Sequence, residues 1–171
     1  MRITSMGNMK SIIILRHGEA EDASPEGDFA RVLTQKGRRD AYGLGKFMAR
    51  RSLSPDVAMV SSASRTRMTY EGVIQGAGFT CSPTFSDELY GTSVDRMIAM
   101  IQEADDAVDE MLMIGHQPVL GGLLSQLVGQ CRFNLPPAGC ACLSFSVDRW
   151  SSVEAGTGWL MWFHVPDSSR R

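Results

Sequence analysis

Strand and helix signals alternate over most of the 171 residues, which predicts a three-layer α/β/α sandwich with a mostly parallel central sheet. Two further observations support it. The first strong segment, "SIIILR", is an uninterrupted aliphatic run rich in β-branched residues, as a strand covered on both faces requires. In addition, arginine, histidine and serine stand just past several of the strand candidates, at the sheet end where open α/β folds carry their ligands.

The elements follow in order. After "SIIILR", Thr34 is a plausible N-cap for a helix across "LTQKGRRDAYGLGKFMARR", in which Ala41, Leu44, Phe47 and Met48 recur at helical spacing. Pro55 breaks the chain before a strand at Val57 to Val60. "SRTRMTYEGVIQGAG" reads as a helix that Gly76 to Gly78 terminate. A weaker strand around "FTCSPTF" leads to the loop "SDELYGTS". Ser93 then caps a helix over "VDRMIAMIQEA", with Met97, Ile98 and Ile101 on one face. Met111 to Ile114 form the next strand, "VLGGLLSQLVG" the next helix, and "GCACLSFSV" and "GWLMWFHV" are strands closing one edge.

Composition sets the class. A chain that is 43% hydrophobic and 21% charged, with net charge −2, fits a globular domain and gives no reason to expect nucleic acid as a partner. A basic stripe with interleaved aromatics is absent. Cys81, Cys131, Cys140 and Cys142 lack metal-ligand spacing, so reduced thiols in the cytoplasm are expected, and no metal. In a strand, Cys140 and Cys142 would share one face as small hydrophobes. No apolar run is long enough for a membrane span. Residues 1–9 read as a disordered lead, Met9 being a possible start, and 10–171 as one domain, expected to be a monomer.

The strand ends carry the chemistry. The first strand delivers Arg16, His17 and Gly18; the second delivers Ser61 and Ser62, with Arg65 just beyond. The strand ending at Ile114 delivers Gly115 and His116, and the loop after the weak strand delivers Glu88. Two guanidinium forks suit the oxygens of a phosphate dianion. A neutral imidazole is a competent nucleophile toward phosphorus, and adjacent arginines keep it neutral. Gly18 would let the backbone turn tightly beside the ligand.

These residues also carry a resemblance. "LRHGEAE" resembles the R-H-G signature of the histidine phosphatase (phosphoglycerate mutase-like) superfamily. "VSSASRTRMT" is similar to its S-S-P-x-x-R-A-x-Q-T segment, and "IGHQP" to its G-H-x-P segment. "DFARVLTQKGRRDA" is similar to the D-x-x-R-P-L-T-x-x-G segment of the SixA-type branch, whose members are phosphohistidine phosphatases. Ala63, Met68 and Val32 depart from those patterns without removing a charged group. The resemblance implies a phosphoglycerate mutase-like fold, no cofactor, and His17 as a nucleophile that carries phosphate covalently. It implies phosphate binding by Arg16, Gly18, Arg65 and His116, with His116 stabilising the transferring group. For Glu88 it implies a general acid by analogy with the mutase branch, against the plainer reading of an exposed loop glutamate. Asp28 is expected to fix its loop by pairing with Arg31, Arg67 to lie on a solvated face, and His164 to be structural.

Three functions are weighed. The leading one is a metal-independent phosphatase acting on phosphohistidine carried by a protein. Imidazole, with a reference pKa near 6.5, leaves with little proton donation. The short interval between the second strand and Glu88 also leaves the site open. A small-molecule phosphomonoesterase of the same superfamily is the alternative; an open site suits it less well, because small ligands usually need enclosure. A non-catalytic phosphohistidine-binding module would need the arginines but not the nucleophile.

Overall fold

The computed structural model describes residues 9–129 and 131–166. Of the disordered lead expected at residues 1–9, only Met9 falls within that range, and it is exposed. Six strands, β1 (Lys10–Arg16), β2 (Val57–Ser61), β3 (Ser82–Ser86), β4 (Glu110–Gly115), β5 (Cys140–Phe145) and β6 (Trp159–His164), form one sheet. Its order is β3-β2-β4-β1-β5-β6. The first four strands in that order run parallel; β5 and β6 are antiparallel additions on one side. The helices are α1 (Gln35–Arg50), α2 (Ser64–Ala77), α3 (Val94–Gln102) and α4 (Val119–Val128).

The aliphatic run of β1 serves both faces because strand side chains alternate. Ile12 and Ile14 join Met111 and Met113 of β4 under α3 and α4. Ile13 and Leu15 join Leu112 and Ile114 under Leu44 and Met48 of α1 and Tyr70 and Val73 of α2. Cys140 and Cys142 share that second core, both buried. Burial pushes the Cys142 thiol up to about 12, so it stays protonated and apolar in behaviour. The Met-rich segments are core filling, as Met97, Met111 and Met113 are enclosed.

Local signals match their elements. Thr34 caps α1 by accepting from the Gly37 N–H at 3.0 Å, and Ser93 caps α3 by accepting from the Arg96 N–H at 3.2 Å. Gly78 closes α2 with φ 71°, a left-handed conformation that suits glycine. Strand β3 begins three residues later than "FTCSPTF" suggests, and its outer half is exposed. As an edge strand containing Pro83 it has little core to define its limits.

Register places the functional end of the sheet. Arg16 pairs with Gly115 across β1 and β4, and Val60 pairs with Ile114 across β2 and β4. The three central strands therefore finish in one row, and His17, Ser62 and His116 follow in the next. Behind that row α1 and α2 cross backbone to backbone. A Cβ on Gly45 would fall 2.2 Å from the Val73 carbonyl oxygen, and one on Gly76 would fall 2.1 Å from that of Tyr42. Gly43, two residues from Gly45, has no atom within 4 Å of the same point.

Two substitutions on the same helix should thus have opposite signs. Gly43→Ala is expected to raise unfolding free energy by about 0.8 kcal/mol, the propensity difference alone. Gly45→Ala should lower it by roughly 1–3 kcal/mol through overpacking. Urea denaturation followed by circular dichroism measures both.

Candidate active site

His17 follows the last residue of β1 and is held by backbone bonds to the end of β4 and to the turn before β5. Its N–H donates to the Gly115 carbonyl at 3.2 Å, and its carbonyl accepts from the Ala138 N–H at 3.0 Å. The imidazole Nδ1 lies 2.7 Å from the Gly18 carbonyl oxygen. A carbonyl can only accept, so Nδ1 carries the proton and Nε2 presents its lone pair. That lone pair faces Arg65 Nε at 3.3 Å. Burial first, and then the Arg65 and Arg16 charges, hold the His17 pKa down at about 4, despite the opposing Gly18 bond.

His116 comes from the turn after β4. Its ring centroid is 5.2 Å from that of His17, and Nε2 lies 2.8 Å from the Ser61 hydroxyl at the end of β2. Burial, followed by the proximity of His17 and Arg65, depresses its pKa to about 3. Both imidazoles are therefore neutral at ordinary pH. Arg16 reaches sideways, donating from Nη1 to the Leu135 carbonyl at 2.9 Å.

Two buried side-chain nitrogens among the described residues have no hydrogen-bond partner: Arg16 Nε and His116 Nδ1. An unpaired buried polar atom is costly, and two in this cluster suit a ligand rich in acceptor oxygens. The first turn of α2 adds to this, since its cap residue, Ala63, supplies no side-chain hydrogen bond.

The structure brings Arg16, His17, Arg65 and His116 together and treats the other candidates differently. The Gly18 N–H is already given to Thr69 Oγ1 at 3.0 Å, and Thr69 in turn donates to the Arg65 carbonyl at 2.7 Å. Gly18 is not in the left-handed region; a Cβ there would lie 2.8 Å from the Gly37 carbonyl oxygen of α1. Its smallness thus answers to helix packing, and its N–H is spent on Thr69 instead of an anion. Glu88 sits in the 3-10 turn Asp87–Leu89, exposed, with Oε2 taking Arg96 Nη2 at 2.8 Å and Nε at 3.0 Å. Among the described residues it makes no hydrogen bond to His17 or His116.

Asp28 pairs with Arg31 at 2.7 Å, as the sequence suggested, and reaches further. Its carboxylate also meets Arg65 Nη2 at 3.0 Å and accepts from the Tyr90 hydroxyl at 2.7 Å. Tyr90 is a site residue that motif reading missed, and Ser61, placed at its strand end by the sequence, was given no role. The aromatic beside Glu88 in "DELYG" was the available signal for Tyr90. Arg67 is exposed, with Nε on the Ser62 carbonyl at 2.8 Å, and His164 stacks on Phe47 at 4.1 Å, remote from the site.

The sequence model of the histidine phosphatase superfamily (branch 1) matches residues 12–90. An uncharacterized protein of Mycobacterium tuberculosis is 29% identical over 164 residues, covering 89% of this chain and 99% of the relative. Among solved structures, a candidate phosphohistidine phosphatase SixA from Nakamurella multipartitia is 25% identical, with TM-score 0.80 over 95% of this chain and 99% of that one. The protein histidine phosphatase SixA complexed with tungstate is 23% identical, with TM-score 0.80 over 91% and 97%. A candidate α-ribazole-5'-P phosphatase from Escherichia coli shares the fold at 16% identity and TM-score 0.70, over 91% and 96%. The phosphoglycerate mutase-like architecture expected from the sequence is therefore the one observed.

The depressed imidazole pKa values have a pH signature. The unfolded chain binds these protons with pKa near 6.5 and the folded chain only near 4 and 3, so protons favour unfolding across that window. Melting temperature should be flat above about pH 7 and fall between pH 6.5 and 4, before most carboxylates titrate. In NMR titrations His17 and His116 should remain neutral at pH 5; midpoints at or above 6.5 would contradict the site's geometry.

Proposed function

We propose, on the premise that this chain belongs to the histidine phosphatase superfamily, that it hydrolyses phosphohistidine on a protein through a covalent intermediate at His17. A histidine-phosphatase-type activity is what the family match and the SixA-like fold support; the protein substrate and the residue roles are our reading. The observation that carries it is the orientation of His17, with Nδ1–H on the Gly18 carbonyl and the Nε2 lone pair facing the Arg65 guanidinium.

The chemistry then runs in two displacements. Nε2 attacks phosphorus, a new P–N bond forms, and the P–N bond of the substrate breaks, its electron pair leaving on the substrate imidazole, which takes a proton from solvent. As Nε2 bonds to phosphorus the ring becomes cationic, and the Gly18 carbonyl stabilises Nδ1–H. With the Ser61 hydroxyl donating to Nε2 of His116, His116 Nδ1 carries a proton and has no other partner, so it can bind an equatorial phosphoryl oxygen. Arg16 Nε is likewise available. Water then attacks phosphorus, the enzyme's P–N bond breaks, and inorganic phosphate leaves. Guanidinium groups and neutral imidazoles supply all the charge stabilisation, so the reading includes no metal or other cofactor.

Two features favour phosphohistidine over a phosphoester. The group best placed by sequence to donate a proton, Glu88, is engaged with Arg96, and an imidazole leaving group can do without it. The second is the size of the cleft beside His116. Clefts of 330, 320 and 320 Å³ lie away from all four site residues, and the one touching His116 measures 130 Å³. Enclosed small-molecule sites are typically several hundred Å³. Residues 10–171 would act as one cytoplasmic domain; no helix among the described residues is long and apolar enough to cross a membrane.

A substrate panel tests the reading. Turnover of a phosphohistidine protein is expected, undiminished by excess chelator, with an acid-labile, base-stable phosphoryl adduct on His17. His17→Ala should lose at least ~10³-fold in kcat. Turnover of sugar phosphates alone would sink the protein substrate, and full activity of His17→Ala would sink the covalent route. Glu88→Gln should slow O–P substrates more than N–P ones if Glu88 swings in as an acid; equal effects on both would remove it from the chemistry.

A further inference from the structure

Arg65 enters the site from the first turn of α2 and is only 6% exposed. Its nitrogens divide between two directions. Nε faces the His17 lone pair, while both terminal nitrogens turn to Asp28: Nη1 donates to the backbone carbonyl at 2.7 Å and Nη2 to Oδ2 at 3.0 Å. A guanidinium has five N–H bonds, so two remain, one on each terminal nitrogen, for an incoming anion. Asp28 is itself held from two further sides. Arg31 binds Oδ1 at 2.7 Å, and the Tyr90 hydroxyl donates to Oδ2, the oxygen that Arg65 uses, at 2.7 Å.

Tyr90 adds packing to this bond. Its ring meets Phe29 edge-on at 5.0 Å and His116 edge-on at 5.4 Å, and the Arg65 guanidinium carbon lies 5.8 Å from its centroid. Tyr90 belongs to the loop after β3, and Asp28 to the loop between β1 and α1. The two loops therefore meet over the side chain of Arg65. A loop-fixing ion pair would need only Arg31; here the same carboxylate is turned onto a buried phosphate-binding arginine.

We propose that Asp28 and Tyr90 act as positioning residues, a latch that fixes the plane of the Arg65 guanidinium so that Nε waits beside His17 Nε2, releasing that lone pair when phosphorus arrives, and its two remaining N–H bonds point at the phosphoryl group. Arginine has a long side chain with many rotamers, and ordering it before the anion arrives removes that cost from the binding step. The Tyr90 bond comes first among the causes that depress the Asp28 pKa, followed by Arg31 and then Arg65, so the latch stays ionised throughout the working pH range. The latch deepens the phosphatase reading and rests on it for its substrate, though an oxyanion alone can report it.

The test compares the full chain with Asp28→Ala and Tyr90→Phe by tungstate binding calorimetry, kcat/KM on a phosphohistidine protein, and thermal melting. Asp28→Ala should weaken tungstate binding and lower kcat/KM by about 10- to 100-fold, the scale of a misplaced catalytic contact. Tyr90→Phe keeps the ring and should lose roughly fivefold in both, the scale of one hydrogen bond. In Tyr90→Phe the His17 NMR titration should also move upward, because a loosened Arg65 no longer suppresses protonation of Nε2. Variants that melt lower yet bind tungstate and turn over within about twofold of the parent would reduce the latch to a loop tie and overturn the proposal. Tighter tungstate binding by Asp28→Ala, or an unmoved His17 titration in Tyr90→Phe, would overturn it as well. Should Asp28→Ala fail to fold, Tyr90→Phe decides. A parent that binds tungstate but turns over no phosphorylated substrate would refute the phosphatase reading, while the losses in the variants would still uphold the latch.

Discussion

The hydrogen-bond register between β1 and its parallel neighbour β4 is the constraint on which the site depends. Arg16 lies opposite Gly115, so the residues that follow, His17 and His116, leave the sheet side by side with ring centroids 5.2 Å apart. A slip of one residue would exchange the two faces of β1, sending Ile12 and Ile14 into the space now filled by Ile13 and Leu15. It would also part the imidazoles. The two hydrophobic cores, one on each face, thus enforce the alignment of the polar ends, and packing energy fixes the geometry of the candidate site.

Electrostatics at that row rests on a deliberate imbalance. Two guanidinium groups stand beside two imidazoles kept neutral by burial and by those cations. Asp28 is the acidic side chain bonded into the cluster, and it is saturated by Arg31, Arg65 and Tyr90. The orphaned nitrogens of Arg16 and His116 mark where an anion would complete the arrangement. Such preorganised donors cost stability, and on the proposed route they would return it as charge develops on a phosphoryl group.

Much of this was legible in the sequence because it depends on local or periodic features. Thr34 and Ser93 announce helix starts by side-chain chemistry, Gly78 announces a helix end, and the run Ile12 to Leu15 announces a doubly covered strand. Arg16, His17, Arg65 and His116 were readable because strand ends in such a sheet converge. What stayed hidden were partnerships across the chain. Nothing in residues 26–31 says that Asp28 will meet Tyr90, 62 positions away, and nothing near Gly18 says that the Gly37 carbonyl will occupy the space of its Cβ. Glu88 shows the converse: a glutamate in a promising loop can be captured by Arg96, eight residues on, once a helix brings that arginine round. Edge strand β3 was blurred because few core contacts fix its limits.

The 2.7 Å contact between His17 Nδ1 and the Gly18 carbonyl carries a consequence in regiochemistry. Phosphorylated histidine exists as two constitutional isomers, according to which ring nitrogen holds the phosphorus, and they differ in hydrolytic lifetime and in phosphorus NMR shift. A carbonyl set against Nδ1 blocks one of the two sites, so on the proposed route this chain would form a single isomer, the Nε2 one. The identity of that adduct is decided by the backbone of the residue after the nucleophile, a group that no side-chain substitution can remove.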